Sequence, residues 1–180
     1  MYTFVKNKTN MKRILLFIIG LIIILLVVAA FLPKKFFTER SVVIDRPINE
    51  VYNYVKFVRN QDNYGKWNLS DPEMNKKESG TDGTVGYTYS WDGKKVGKGS
   101  QTITKLVENE ALYTELNFGF GEPAVSHMLL ESVGPGSTKV TWGISGNSPW
   151  PMNLMGLFYD IGKDFGEGLD NLKKVLEGKS

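Results

Sequence analysis

The stretch PWPMNLMGLFYDIGKDFGEGLDNLKKVLE, Pro149 to Glu177, decides the fold. Its apolar residues Leu154, Leu157, Phe158, Ile161, Phe165, Leu169, Leu172 and Leu176 fall on one face at 100° per residue, with Asn153, Asp160, Lys163, Glu167 and Lys174 opposite. The spacing predicts one long amphipathic helix. Pro151 suits a first turn, Lys173 and Lys174 meet the negative end, and Gly178 supplies a left-handed stop. Gly156, Gly162, Gly166 and Gly168 each cost about 0.8–1 kcal/mol against Ala. Such a helix forms only where a large apolar surface holds its stripe. Gly168 lies within that stripe and marks a close approach of backbone or ligand.

The surface that holds the stripe is read upstream. Phe36 to Asp45 has a strand pattern, with Val42 and Ile44 alternating against Ser41 and Val43. Pro47 then opens a helix carrying Ile48, Val51, Tyr52, Val55 and Val58. Asn60 to Tyr64 is turn-like, and Asn68 to Gly83 reads as a loop. From Thr84 the period becomes two. Val85, Tyr87, Tyr89 and Trp91 share one strand face, Asp92-Gly93 is a hairpin turn, and Val96 to Val107 returns. Ala111 to Phe120, Ala124 to Val133 and Thr138 to Ser145 follow as strands, the last with Val140, Trp142 and Ile144 on one face. The order is strand, helix, five strands joined by short turns, helix. That makes an antiparallel sheet of α+β class. The simplest arrangement bends this sheet around the long C-terminal helix and leaves a cavity between them.

The N-terminal end is different. Ile14 to Leu32 is 19 residues without a charge, Asn, Gln, Ser or Thr. At 1.5 Å per residue it is about 28 Å long, close to a hydrocarbon core of roughly 30 Å. The expected organisation is a basic tail over residues 1–13, a transmembrane helix over 14–33 and a domain over 34–180. Cleavage at Val28-Ala29-Ala30 is the competing reading. The apolar run exceeds a signal h-region and continues through Phe31-Leu32-Pro33, which favours an uncleaved single-pass anchor. Lys6, Lys8, Lys12 and Arg13 precede the span, and Lys34, Lys35, Arg40 and Arg46 follow it. The balance is nearly even and leans towards a domain outside, in the cell envelope; Met11 as an alternative start weakens that lean.

Charge limits the function classes. The chain carries 22 basic and 19 acidic residues, and residues 1–32 hold four of the basic ones and no acid. The remainder is close to neutral, so the basic excess expected of a nucleic-acid binder is missing. With no Cys and one His, His127, neither a metal site nor a cofactor motif is legible. Gly97-Lys98-Gly99 lies inside a strand with no helix after it, which rules out a phosphate loop.

In order and spacing the soluble part resembles the START-like, or SRPBCC, superfamily, in its bacterial polyketide cyclase/dehydrase and lipid transport branch and in a membrane-anchored form. The resembling pieces are RSVVIDRP at Arg40–Pro47 followed by Val51-Tyr52, YGKW at Tyr64–Trp67, VGYTYSW at Val85–Trp91, GKGS at Gly97–Ser100, TKVTW at Thr138–Trp142, and the glycine-bearing final helix. A second Trp often found near Trp67 in such sequences is replaced by Tyr64. The resemblance implies the helix-grip fold and a hydrophobic cavity, and no particular reaction.

On this reading Tyr87, Tyr89 and Trp91 form a cavity wall. Leu116 and Phe118 join it from the strand Ala111 to Phe120, and Met128, Trp142, Met155 and Phe158 complete the lining. For each residue alone, ordinary core packing is the competing role. The expected function is a membrane-tethered module that binds a lipid or other small hydrophobic ligand in a pocket of about 300 Å³ or more. An enzyme of cyclase or dehydratase type is the alternative, and it gains if His127 sits in a pocket beside Glu115 or a tyrosine hydroxyl. A ligand-free envelope interaction domain is a third reading, which requires an exposed apolar patch on the outer face of the sheet.

Overall fold

A computed structural model describes residues 3–178 of the chain, with side chains from residue 10 onward. The side chains of Lys6 and Lys8 in the expected basic tail therefore lie outside the described residues. The chain divides into two compact units, residues 1–34 with 148–159, and residues 35–147 with 160–180.

The larger unit is built on a seven-stranded antiparallel sheet in the order β1-β7-β6-β5-β4-β3-β2. The strands are β1 (Lys35–Ile44), β2 (Asn75–Ser79), β3 (Thr88–Gly93), β4 (Gly97–Val107), β5 (Ala111–Asn117), β6 (Ala124–Gly134) and β7 (Ser137–Asn147). Between β1 and β2 lie α2 (Ile48–Val55), a 3-10 turn at Val58–Asn63 and α3 (Lys66–Ser70). Strands β2 to β7 follow one another as a meander, and β1 closes the far edge against β7. A bulge between Ile103 and Lys105 shifts the β4–β5 register, a device that bends and twists a strand.

Strand β2 falls inside the stretch read as a loop. Its sequence, Asn-Lys-Lys-Glu-Ser, is exposed throughout and has no apolar residue to betray a buried face. Charged residues of this kind protect an edge strand from pairing with another chain. Strand β3 starts at Thr88 rather than Thr84, because Gly86 adopts φ 92°. The ladder to β4 nevertheless reaches back, with Gly86 N donating to Ile103 O at 2.8 Å.

The helix expected from Pro149 to Glu177 is two elements. Met152–Leu157 is a 3-10 turn, and the amphipathic helix α4 runs over Ile161–Glu177. Asp160 makes the break. In extended backbone conformation, it accepts a hydrogen bond from Gly162 N at 2.9 Å and caps α4. A capping aspartate satisfies an orphan donor and favours the positive helix end, and this overrides an apolar period that runs straight through it. At the other end Gly178 takes φ 69° as the left-handed stop.

Helix α4 buries Phe165, Leu169 and Leu172 against a core that includes Ile44, Val140, Trp142 and Ile144 from β1 and β7. A Cβ at Gly168 would lie 2.8 Å from Cζ3 of Trp142, so the indole rests on helix backbone there. The absent side chain is what lets helix and sheet approach. Lys66 on α3 pairs with Glu167 on α4.

The smaller unit contains α1 (Thr3–Phe31) and the 3-10 turn of residues 152–157. Within α1, Asn10–Phe31 is long and apolar enough to cross a membrane.

Candidate ligand cavity

Inward-facing residues of β3 to β7 and the first turns of α4 enclose a cavity of about 160 Å³. Its apolar lining comes from Trp67, Met74, Tyr89, Trp91, Val96, Leu116, Phe118, Trp142, Ile144, Ile161 and Phe165. Strand alternation sets who faces in. Tyr89 pairs with Gln101 and Gln101 with Leu116, so these three stand in one row. In a second row Ser126 pairs with Ile144. Trp91 pairs with Gly99, where a Cβ would sit 2.4 Å from Cζ2 of the indole. Gly99 is thus a seat for the Trp91 ring, which accounts for the glycine inside a strand.

Of the residues expected to line the cavity, the structure brings together Tyr89, Trp91, Leu116, Phe118 and Trp142. Tyr87 and Met128 do not reach it. Both are buried in the core, Tyr87 with its hydroxyl donating to Glu78 Oε2 at 2.8 Å, and Met128 cross-strand from Trp142. Met155 and Phe158 also do not line it. They belong to the segment before the Asp160 cap and are 55% and 78% exposed. Phe158's place in the stripe rested on a helix that starts only at Ile161.

Sequence reasoning missed Ile144, Ser126, Gln101, Phe165 and Ile161, although two-residue alternation and the α4 stripe carry the signal for all five. Gln61 comes from the 3-10 turn, Trp67 and Asn68 from the five-residue helix α3, and Met74 from the link to β2, all too short to carry a periodic signal. The aromatic floor explains why the cavity falls short of the expected 300 Å³. Trp142 and Phe165 meet at 4.9 Å between centroids with their rings tilted by 54°, and Trp67 meets Phe165 edge-on at 5.3 Å.

The polar groups around the cavity are few and mostly paired. Trp142 Nε1 donates to Ser126 Oγ at 3.3 Å, and Ser126 Oγ donates to Gly143 O at 2.9 Å. Gln101 Nε2 donates to Thr114 Oγ1 at 2.9 Å. The carboxylate of Asp62 collects Tyr89 Oη and Asn68 Nδ2, each at 2.7 Å, and Lys76 Nζ at 2.7 Å. Burial alone would raise the Asp62 carboxyl, but these three donors together hold it below the usual carboxylate range. Tyr89 is pushed well above a normal phenol, first by burial and then by its bond to Asp62. One group stands out: Gln61 is 7% exposed and lines the cavity, and its buried Nε2 has no hydrogen-bond partner among the described residues.

His127 lies on the opposite sheet face. On β6 it alternates with Ser126 and Met128, which face inward. Its ring stacks on Phe37, and Nε2 lies 3.4 Å from Glu39 Oε2. It therefore lies outside the cavity, on the face it shares with its cross-strand partner Tyr113 and with Glu115, and cannot serve as a base in the cavity. The outer face does expose Phe37, Val43, Val125, Leu129 and Val133. Between β1 and β6, however, β7 presents Lys139, Thr141 and Ser145 in register with them, so the apolar positions do not form one patch. Among the described residues, no group of three or more His, Asp or Glu is placed to hold a metal ion.

A curved antiparallel sheet closed by a C-terminal helix over an apolar hollow defines a helix-grip domain. The chain belongs to the family described as polyketide cyclase / dehydrase and lipid transport, which it matches over residues 36–177. No curated protein matches it in sequence. Among solved structures, it is similar to the Aha1 dimer of Colwellia psychrerythraea, with 18% identity, TM-score 0.59, and coverage of 81% of this chain and 99% of that one. Norcoclaurine synthase of Thalictrum flavum, in complex with dopamine and hydroxybenzaldehyde, is similar at 8% identity and TM-score 0.63, over 81% and 88% of the two chains. Protein MLL2253 of Mesorhizobium loti is similar at 14% identity and TM-score 0.58, over 82% and 99%. At these identities the likeness shows the fold.

Proposed function

We propose that this chain is a membrane-tethered binding module that takes a lipid segment or other small hydrophobic ligand into the cavity between sheet and α4. The supporting observation is the partly enclosed apolar hollow with few polar groups, all but one of those described already paired. Its size narrows the ligand. A cavity of roughly 150 Å³ accommodates a benzene-sized group, so a hollow of about 160 Å³ suits one ring or a short acyl segment. The rest of a larger amphipath would lie outside. Gln61 Nε2 would donate to an acceptor on the buried part, which favours a carbonyl-bearing ligand over a pure hydrocarbon.

The tether is the apolar helix ending at Phe31, read as a single-pass span with the domain on the outer side of the membrane. Its value would be to hold the cavity near a lipid source and raise effective concentration. The cyclase or dehydratase alternative rests on the family description; His127, its best candidate base, faces away from the cavity.

The full chain, extracted in mild detergent, is expected to carry small apolar or amphipathic molecules detectable by mass spectrometry. The Leu116→Trp variant, which fills the hollow, should lose them. A folded chain that carries none, or a filled variant that retains the same species, contradicts the reading. A reporter fused after Ser180 tests the side of the membrane.

A further inference from the structure

Residues 148–159, SPWPMNLMGLFY, contain no charged side chain. They form one compact unit with α1, and the bonds between the two segments locate the loop along the helix. Ala29 needs a donor four residues on, where Pro33 has no N–H. Asn153 supplies it: Nδ2 donates to Ala29 O at 2.7 Å and to Leu32 O at 3.3 Å. Higher up the helix, Trp150 Nε1 donates to Leu26 O at 3.2 Å. Leu26 is five residues before Phe31, which ends the apolar stretch, or about 7.5 Å of helical rise.

That depth is the argument. A loop bonded to the Leu26 carbonyl cannot stay in water if the apolar stretch is in lipid up to Phe31. We infer that residues 148–159 are a second membrane contact, a reentrant interfacial loop seated in the boundary between headgroups and acyl chains. The inference rests on the reading of α1 as a span. Interfacial segments bury their apolar faces about 5–10 Å into this layer, which matches the level of Trp150. The side chains fit the same layer. Met155, Leu157 and Phe158 are mostly exposed in the chain by itself, and Trp150 and Tyr159 are about half exposed. Trp and Tyr concentrate at membrane interfaces because their rings are apolar and their tips polar. Lys34 and Lys35 follow directly after the helix and place cations at headgroup level. Two residues beyond the loop in sequence, Ile161 lines the cavity, so the lipid-facing chain runs straight into the helix that closes the binding site.

The chain has no cysteine, so single-cysteine variants of the full protein can carry one small environment-sensitive fluorophore. Three variants, Phe158→Cys, Leu21→Cys in mid-span and Val85→Cys in an exposed loop, are placed in phosphatidylcholine vesicles. Each is quenched by aqueous iodide and by nitroxides fixed at shallow or deep positions of the lipid. The expected result is deep quenching for Leu21, shallow quenching for Phe158, and iodide quenching several-fold weaker at Phe158 than at Val85. If Leu21 is quenched deeply while Phe158 behaves like Val85, the loop is in water and the inference fails while the span stands. A Phe158 label shielded from iodide yet untouched by lipid nitroxides is covered by protein, which also overturns it. If Leu21 itself behaves like Val85, the span fails and the loop falls with it.

Discussion

Two glycines of α4 separate helix propensity from packing. Gly166 has room for a side chain, its nearest neighbour to a built Cβ being Arg40 Cγ at 3.9 Å, an ordinary van der Waals contact. Gly166→Ala should therefore raise stability by about 0.5–1 kcal/mol in urea denaturation. Gly168→Ala gains the same propensity but drives a methyl into Trp142, and overpacking costs typically about 1–3 kcal/mol. It should be destabilising, and the two variants should differ in sign. Asp62 adds a pH signature. Its carboxyl is lowered in the folded state, so the stability it contributes is present above the unfolded value of about 3.9 and is lost as pH falls through the folded value. Asp62→Asn should flatten the acid limb of the stability profile; an unchanged limb would show that the Lys76, Tyr89 and Asn68 contacts do not persist in solution. At Gln61, whose Nε2 has no partner among the described residues, replacement by Leu should weaken binding of acetophenone relative to toluene, read by competitive titration.

At the scale of elements, the break at Asp160 is the main correction. Apolar period alone extended the helix to Pro149, and the competing signal was one capping residue. Asp160→Ala should cost about 0.5–2 kcal/mol and fray the first turn of α4, visible as faster amide exchange at Gly162 and Lys163. The same contrast explains what was legible. The six strands with alternating apolar residues and the helix α2 are readable because one buried face imposes a period. Strand β2 is not, because an edge of Lys and Glu pairs through backbone alone. The cavity follows the same division. Tyr89, Trp91, Leu116 and Trp142 lie on strands whose alternation points them inward, and Phe118 follows directly after β5. Gln61 and Asn68 arrive from the 3-10 turn and the short helix α3, whose positions only the tertiary fold fixes. Phe158 looked like lining because it shares the helical phase of Phe165, but phase has no meaning across a cap.

At the scale of the molecule, the family description and the apolar hollow point to a ligand, and the size of the hollow sets what enters. The aromatic floor of Trp67, Trp142 and Phe165 fills space that a wider cavity would leave open. The central claim is that an apolar group binds between the sheet and α4. Methyl NMR of the full chain in detergent micelles, titrated with acetophenone, tests it most directly. The account predicts saturable shifts at the methyls of Met74, Leu116, Ile144 and Ile161, with Leu129 and Val133 on the outer face unmoved. Shifts confined to the outer face, or no saturable shift at any lining methyl, would contradict it.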